Sequence, residues 1–154
     1  MKRIVTETVL SVIVYTLIAV VVSSVYLSFV DVVETGGFEI TFNLIPWVIL
    51  ILFGTLHMIY SFKTRNRNKG FLTWAFMSMT EYAEGDEREA VITNKATRAA
   101  YTTYGITIPI FMCFMVFHPL LSSTFPTYPI YLLTAIINIS TIVYGVTWVR
   151  EYRK

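Results

Sequence analysis

The sequence predicts an all-α integral membrane protein, a compact four-helix transmembrane bundle, on three observations. Hydrophobic residues make up 55% of its 154 residues and charged residues only 14%, against about 45–50% and 25% in a soluble domain. Four apolar stretches approach the roughly 20 residues that a helix needs to cross a hydrocarbon core about 30 Å thick. All twelve lysines and arginines fall on one side of those stretches.

The first stretch, Val9 to Val30, contains no charge, glycine or proline. Lys2-Arg3 followed by an apolar run is also how a secretory signal begins. Signal cores run about 7–15 residues, however, whereas this run has span length and no small-x-small cleavage site, so it is read as a retained span. Asp31 to Glu39 reads as a short acidic turn region before the second stretch, Phe42 to Phe62. The third runs from Ala99 to Phe117 and carries Pro109, which deprives the Gly105 carbonyl of its helical donor and marks a place for a kink. The fourth runs from Ile130 to Val149, and His118 to Pro129 joins it to the third without a charge. Neither end shows a lipidation motif, and residues 1–154 read as a single membrane domain.

Orientation follows from the basic residues, which are retained on the cytoplasmic side near the ends of spans. Lys2 and Arg3 precede the first span. Lys63, Arg65, Arg67, Lys69, Arg88, Lys95 and Arg98 lie between the second and third, and Arg150, Arg153 and Lys154 follow the fourth. The other two loops have none, and the first of them holds Asp31, Glu34 and Glu39. Both termini and the loop 63–98 are therefore expected in the cytoplasm, with the chain in the cell membrane.

In lipid, small and weakly polar residues mark the faces where helices meet. Thr134, Asn138, Thr141, Gly145 and Trp148 form such a stripe on the fourth span, and Thr8, Ser11, Tyr15, Ala19, Val22 and Tyr26 a looser one on the first. Ala96, Ala100, Thr103 and Thr107 do the same for the third, and Gly54, His57 and Ser61 for the second. Helix packing is the ordinary reading of these stripes. The alternative is a cavity or interhelical polar path using His57, Thr107, Thr134, Asn138 and Thr141, in which His57 is a titratable group near the cytoplasmic end.

Composition also excludes classes. A net charge of +2 with charges this scarce is not a nucleic-acid binder. The single cysteine, Cys113, and two histidines, His57 and His118, rule out a disulfide framework, a CxxC redox pair and a cysteine zinc site, and leave no basis for a multi-histidine metal centre. No span carries Asp, Glu, Lys or Arg in its central portion, where ion-coupled carriers place one. Neither a nucleophile with its base nor a metal constellation is recognisable, so no enzyme activity and no cofactor are expected.

The loop carries the strongest patterning. Lys63, Arg65, Arg67 and Lys69 form a basic cluster suited to anionic lipid headgroups and to anchoring the topology. The apolar run Phe71 to Met79 is about half a span long and reads as a short interfacial helix on the inner leaflet. The acidic block Glu81 to Glu89 follows, with Gly85 as a break and Asp86 and Glu89 spaced as a capping box. From Asp86 the pattern stays helical into the third span, one helix of about 32 residues and about 48 Å, projecting two turns or more into the cytoplasm. Capping accounts for these carboxylates better than a cation site, because Asp86, Glu87 and Glu89 point in different directions within one turn.

The string Asp86-Glu87-Arg88-Glu89, then Ile92, Lys95-Ala96 and Arg98-Ala99-Ala100-Tyr101 running directly into a span, resembles the signature of small four-span bacterial and archaeal membrane proteins of unknown function. The resemblance covers about 16 residues plus the span arrangement. It implies a regulatory or accessory role, and makes Asp86, Glu87, Arg88, Lys95 and Arg98 candidate residues for docking a protein partner or a second copy of the chain. A non-enzymatic multi-pass protein that docks a partner through its cytoplasmic loop is the expected function. The alternative is a small transporter or immunity-type protective protein working through a cavity between the spans.

Overall fold

The computed structural model describes residues 2–36, 43–64 and 87–154, apart from the side chains of Thr35, Ser61, Phe62 and Thr64. Every regular element among the described residues is helical: α1 (Lys2–Thr35), α2 (Leu44–Thr64), α3 (Glu87–Phe114), a 3-10 turn (Met115–Phe117), α4 (His118–Leu121) and α5 (Tyr128–Tyr152). The predicted interfacial helix 71–79, the basic residues Arg65, Arg67 and Lys69, and Asp86 with its capping box lie outside the described residues.

Each boundary has a local cause. No glycine or proline interrupts α1 until Gly36, which takes the left-handed conformation at φ 64° and donates its N–H to the Val32 carbonyl at 3.1 Å. Glycine adopts that geometry without a Cβ penalty and so stops a helix. Asp31 and Glu34, expected in a turn, therefore lie in the closing turns of α1, because the helix runs on to the first residue that can end it. Before α2, the Asn43 side-chain oxygen accepts the Ile45 N–H at 3.1 Å. Pro46 then falls in the first turn, where no helical partner for its missing N–H is needed.

α3 runs unbroken through Pro109, so the projecting helix expected to begin near Asp86 is present from Glu87. Its helical course does not end at Phe117 as expected. It tightens into the 3-10 turn and resumes over His118–Leu121, with Pro119 in the first turn of α4, a position that tolerates proline. Stacked Phe125 and Tyr131, with ring centroids 5.4 Å apart, close the turn into α5.

Apolar side chains face outward. Among the described residues only seven apolar side chains are buried, while Leu44, Val48, Ile51 and Ile59 on α2 are each more than 60% exposed. Water would not tolerate so extensive an apolar surface, whereas lipid is its natural solvent. The helices over Lys2–Glu34, Glu87–Leu121 and Tyr128–Tyr152 are long and apolar enough to cross a bilayer, and Leu44–Tyr60 is a shorter apolar helix. The chain is a helical, membrane-associated protein.

Among the described residues the helices pack in a row, α2 chiefly on α1, α1 on α5, and α5 on α3. Lipid supplies no hydrophobic drive to close such a row into a ring, so association depends on where backbones can approach. Gly145 is one such place. A Cβ added there would lie 2.8 Å from Thr8 Cγ2 and 3.1 Å from Thr8 Cβ, so α5 meets α1 at this distance because residue 145 has no side chain. Gly145→Val should lower stability in detergent by about 1–3 kcal/mol, the usual range for overpacking. Adding Thr8→Ala should restore part of the loss, because it removes the Cγ2 contact and leaves Cβ. Chemical unfolding of the two single variants and the double variant measures both effects.

Candidate functional site

The N-terminal ends of α1 and α3 meet the C-terminal end of α5, and four buried apolar side chains gather there. Trp148 of α5 is 1% exposed and packs with Ile4 of α1 and with Ile92 and Ala96 of α3, flanked by Tyr144. Ala96 is the small residue that lets the indole lie against α3. The indole N–H donates to the Thr93 hydroxyl at 3.2 Å, so the one polar atom of the buried ring is satisfied, as burial requires. One turn on, Tyr152 stacks on Trp148 with ring centroids 5.0 Å apart and planes 14° apart.

Charges surround this apolar plug. Arg3 of α1 pairs with Glu89 of α3 at 3.8 Å. Lys95 of α3 pairs with Glu151 of α5 at 2.9 Å, and Lys154 reaches the other oxygen of the same carboxylate. Arg88 lies over the Tyr152 ring, 5.6 Å from its centroid, and donates to the Tyr152 carbonyl at 3.3 Å. That places a cation on the last turn of α5, where the helix dipole favours positive charge. Hydrogen bonds from Lys154 and then Lys95 hold the Glu151 carboxyl at about 2, below its ordinary 4.5. Pairs this close to solvent add little individually. Their effect is to fix how the first three turns of α3 lie against α5.

Of the predicted docking residues, Arg88 and Lys95 are thus engaged with α5. Glu87 and Arg98 are exposed, and Asp86 lies outside the described residues. The predicted cavity residues do not converge on one space. His57 Nε2 lies 3.3 Å from Ser11 Oγ, joining α2 to α1. Asn138 Nδ2 donates to Thr16 Oγ1 at 3.1 Å, joining α5 to α1, and that hydroxyl donates in turn to the Val12 carbonyl at 2.8 Å. Thr107, Thr134 and Thr141 each donate to the carbonyl four residues earlier in their own helix. Two of the five residues therefore bind helices together and three serve their own backbone.

The α1 stripe is only partly used as the sequence suggests. Ala19 is buried, but Tyr15, Val22 and Tyr26 are exposed, while Val21, Ser23 and Ser28 are buried. α1 lies between α2 and α5 and has two contact faces, which a single stripe cannot describe. Sequence reasoning also missed Thr93, Glu151 and Glu7, the last only 4% exposed. The signal for Glu7 was an acid one turn beyond Ile4, at the edge of the apolar run; for Glu151 it was an acid flanked by three basic residues. Among the described residues no group of three His, Cys, Asp or Glu side chains gathers as metal ligands would, and Cys113 is exposed on α3.

No protein-family model matches the chain, and no solved structure matches it. It is 28% identical over 115 residues to the uncharacterized lipoprotein YgaO of Bacillus subtilis (strain 168), an alignment covering 75% of this chain and 70% of that protein.

Two outcomes follow from the junction. Trp148→Phe and Thr93→Val should each destabilise the protein, and the double variant should recover about 1 kcal/mol relative to their sum, the net worth of one hydrogen bond; an unfolding cycle in detergent measures the coupling. Because the folded-state Glu151 carboxyl titrates near 2 in place of 4.5, its pairing stabilises the fold above about 4.5 and is lost as pH falls from there toward 2. Glu151→Gln should flatten the acid limb of the melting-temperature profile in that window and leave its slope above pH 5 unchanged.

Proposed function

We propose that this is a four-span protein of the cell membrane, with both termini and the segment 63–98 in the cytoplasm, acting without chemistry of its own as a regulatory or accessory component. Its partner is a protein that docks on the cytoplasmic projection of α3. The observation that carries this reading is the Trp148 junction: His57, Thr107, Thr134, Asn138 and Thr141 bind helices or their own backbone, while the charged end of α3 is clamped to α5 as a fixed surface. A free helix projecting into water would lose entropy on binding, and a clamped one has lost it already.

Four spans are supported by α2, whose apolar side chains are exposed along its length and whose first charge is Lys63. At 21 residues it is about 31 Å long, matching a hydrocarbon core. The orientation is supported by the described basic residues, which lie on the side of the junction. Membrane association also agrees with the description of YgaO as a lipoprotein.

Two experiments test this. In a Cys113→Ser background, a cysteine at Ser122 should react with a membrane-impermeant maleimide on intact cells, and one placed at Lys154 only after permeabilisation; the reverse pattern refutes the orientation. Asp86→Lys, Glu87→Lys and Arg98→Glu together spare the clamp made by Arg88 and Lys95. The triple variant should keep its melting temperature and lose the proteins that co-purify with the wild type after crosslinking in cells, and an unchanged set contradicts the docking reading.

A further inference from the structure

Along the α1–α5 seam, beside the Gly145–Thr8 contact, runs an open groove of about 710 Å³. Val5, Val9 and Val12 form one wall, Ile142 and Val146 the other, and Thr8 and Gly145 line it where the two helices touch. From Val5 to Ile13 the groove follows α1 for about 12 Å. Its walls are almost wholly apolar. Its mouth is not: Arg150 and Arg153, one turn apart on α5, line the same groove and so share one face of the helix.

Four other cations at this end of the protein are engaged, and these two guanidinium groups are not. Arg3 pairs with Glu89, Lys95 and Lys154 pair with Glu151, and Arg88 lies over Tyr152. Glu151, between the two arginines in sequence, is turned to the α3 side of the helix. Arg150 and Arg153 form no ion pair among the described residues and are exposed. The fixed fork of arginine donors matches phosphate oxygens.

We infer that this groove is a binding site for one anionic phospholipid, with the phosphodiester held by Arg150 and Arg153 and an acyl chain lying between α1 and α5. The occupant is set by charge and shape together. A second copy of the chain would have to bring an acid to this depth beside an apolar edge, and the only acids on α1, α2 or α5 among the described residues are Glu7, Asp31, Glu34 and Glu151. Glu7 is buried, Asp31 and Glu34 lie at the far end of α1, and Glu151 is already paired. The site rests on the reading that α1 and α5 span the bilayer, which puts Arg150 and Arg153 at headgroup level. It is separate from the Lys63 cluster expected to attract lipid non-specifically.

The test is native mass spectrometry of the full chain in detergent, titrated with dioleoyl phosphatidylglycerol or dioleoyl phosphatidylcholine. The measurement reads binding whichever way the chain is inserted, so its failure is distinguishable from a failure of the labelling experiment above. The wild type should retain a single phosphatidylglycerol at a concentration at least ~10-fold lower than phosphatidylcholine, since each basic residue near a membrane surface favours anionic lipid by about a factor of five. Arg150→Gln with Arg153→Gln should bring the two lipids level. Lys63→Gln with Arg65→Gln should leave the preference in place. Val146→Trp, which fills the groove, should lower retention of both. Equal retention of the two lipids by the wild type, an unchanged phosphatidylglycerol adduct in the double arginine variant, or a dimer without bound lipid would each overturn the inference.

Discussion

The burial of Trp148 against Thr93, Ile4, Ile92 and Ala96 is the constraint on which the rest of the molecule depends. It is a single point where three helices touch. A bilayer cannot press apolar helices together, so a membrane protein must find its cohesion in shape and in polar bonds. The indole supplies both: a large flat surface that needs a residue as small as Ala96 opposite it, and one N–H that needs an acceptor at a set position. One turn deeper, the close approach of Gly145 to Thr8 continues the same alignment between α5 and α1. The ion pairs around the plug, Arg3 with Glu89 and Lys95 with Glu151, then act on helices that are already in register.

The same physics explains why the helices form a row. Interhelical polar bonds tie α2 to α1 through His57 and Ser11, and α5 to α1 through Asn138 and Thr16. The hydroxyls of Thr103, Thr107, Thr134 and Thr141 instead return to their own backbones, where they bond no neighbouring helix. What remains on the outer faces is valine, leucine and isoleucine, which lipid solvates at no cost. Along the α1–α5 seam, the open groove with two arginines at its mouth is the site proposed for a bound lipid.

The all-helical, membrane-associated character was legible in the sequence because lipid imposes a length and a composition that few other environments share. The positions of the basic residues were equally legible. Helix ends were less so: Asp31 and Glu34 looked like a turn because they are charged, but helix termination depends on the backbone, and Gly36 is the first glycine the helix reaches. Gly145 and Trp148 were readable as members of one stripe, yet they face different helices, Gly145 toward α1 and Trp148 toward α3. A shift of 60° around α5 separates them, and single-helix periodicity carries no information about which neighbour lies where. The pairing of Lys95 with Glu151, 56 residues apart, is likewise a property of the packing alone, and Arg88 and Lys95, predicted as docking residues, instead hold the first turns of α3 to α5.

A clamped α3 projection makes a prediction that a merely helical one does not. Backbone amides in Glu87–Arg98, outside the hydrocarbon and open to water, should be protected only if the segment is packed against α5. Hydrogen–deuterium exchange of the protein in lipid nanodiscs measures this directly. The account predicts that amides over 91–97 exchange as slowly as those in the C-terminal turns of α5 around Trp148. Exchange over 91–97 at the rate of an isolated peptide helix, with α5 protected, would show that Trp148 does not hold α3 and would contradict the account.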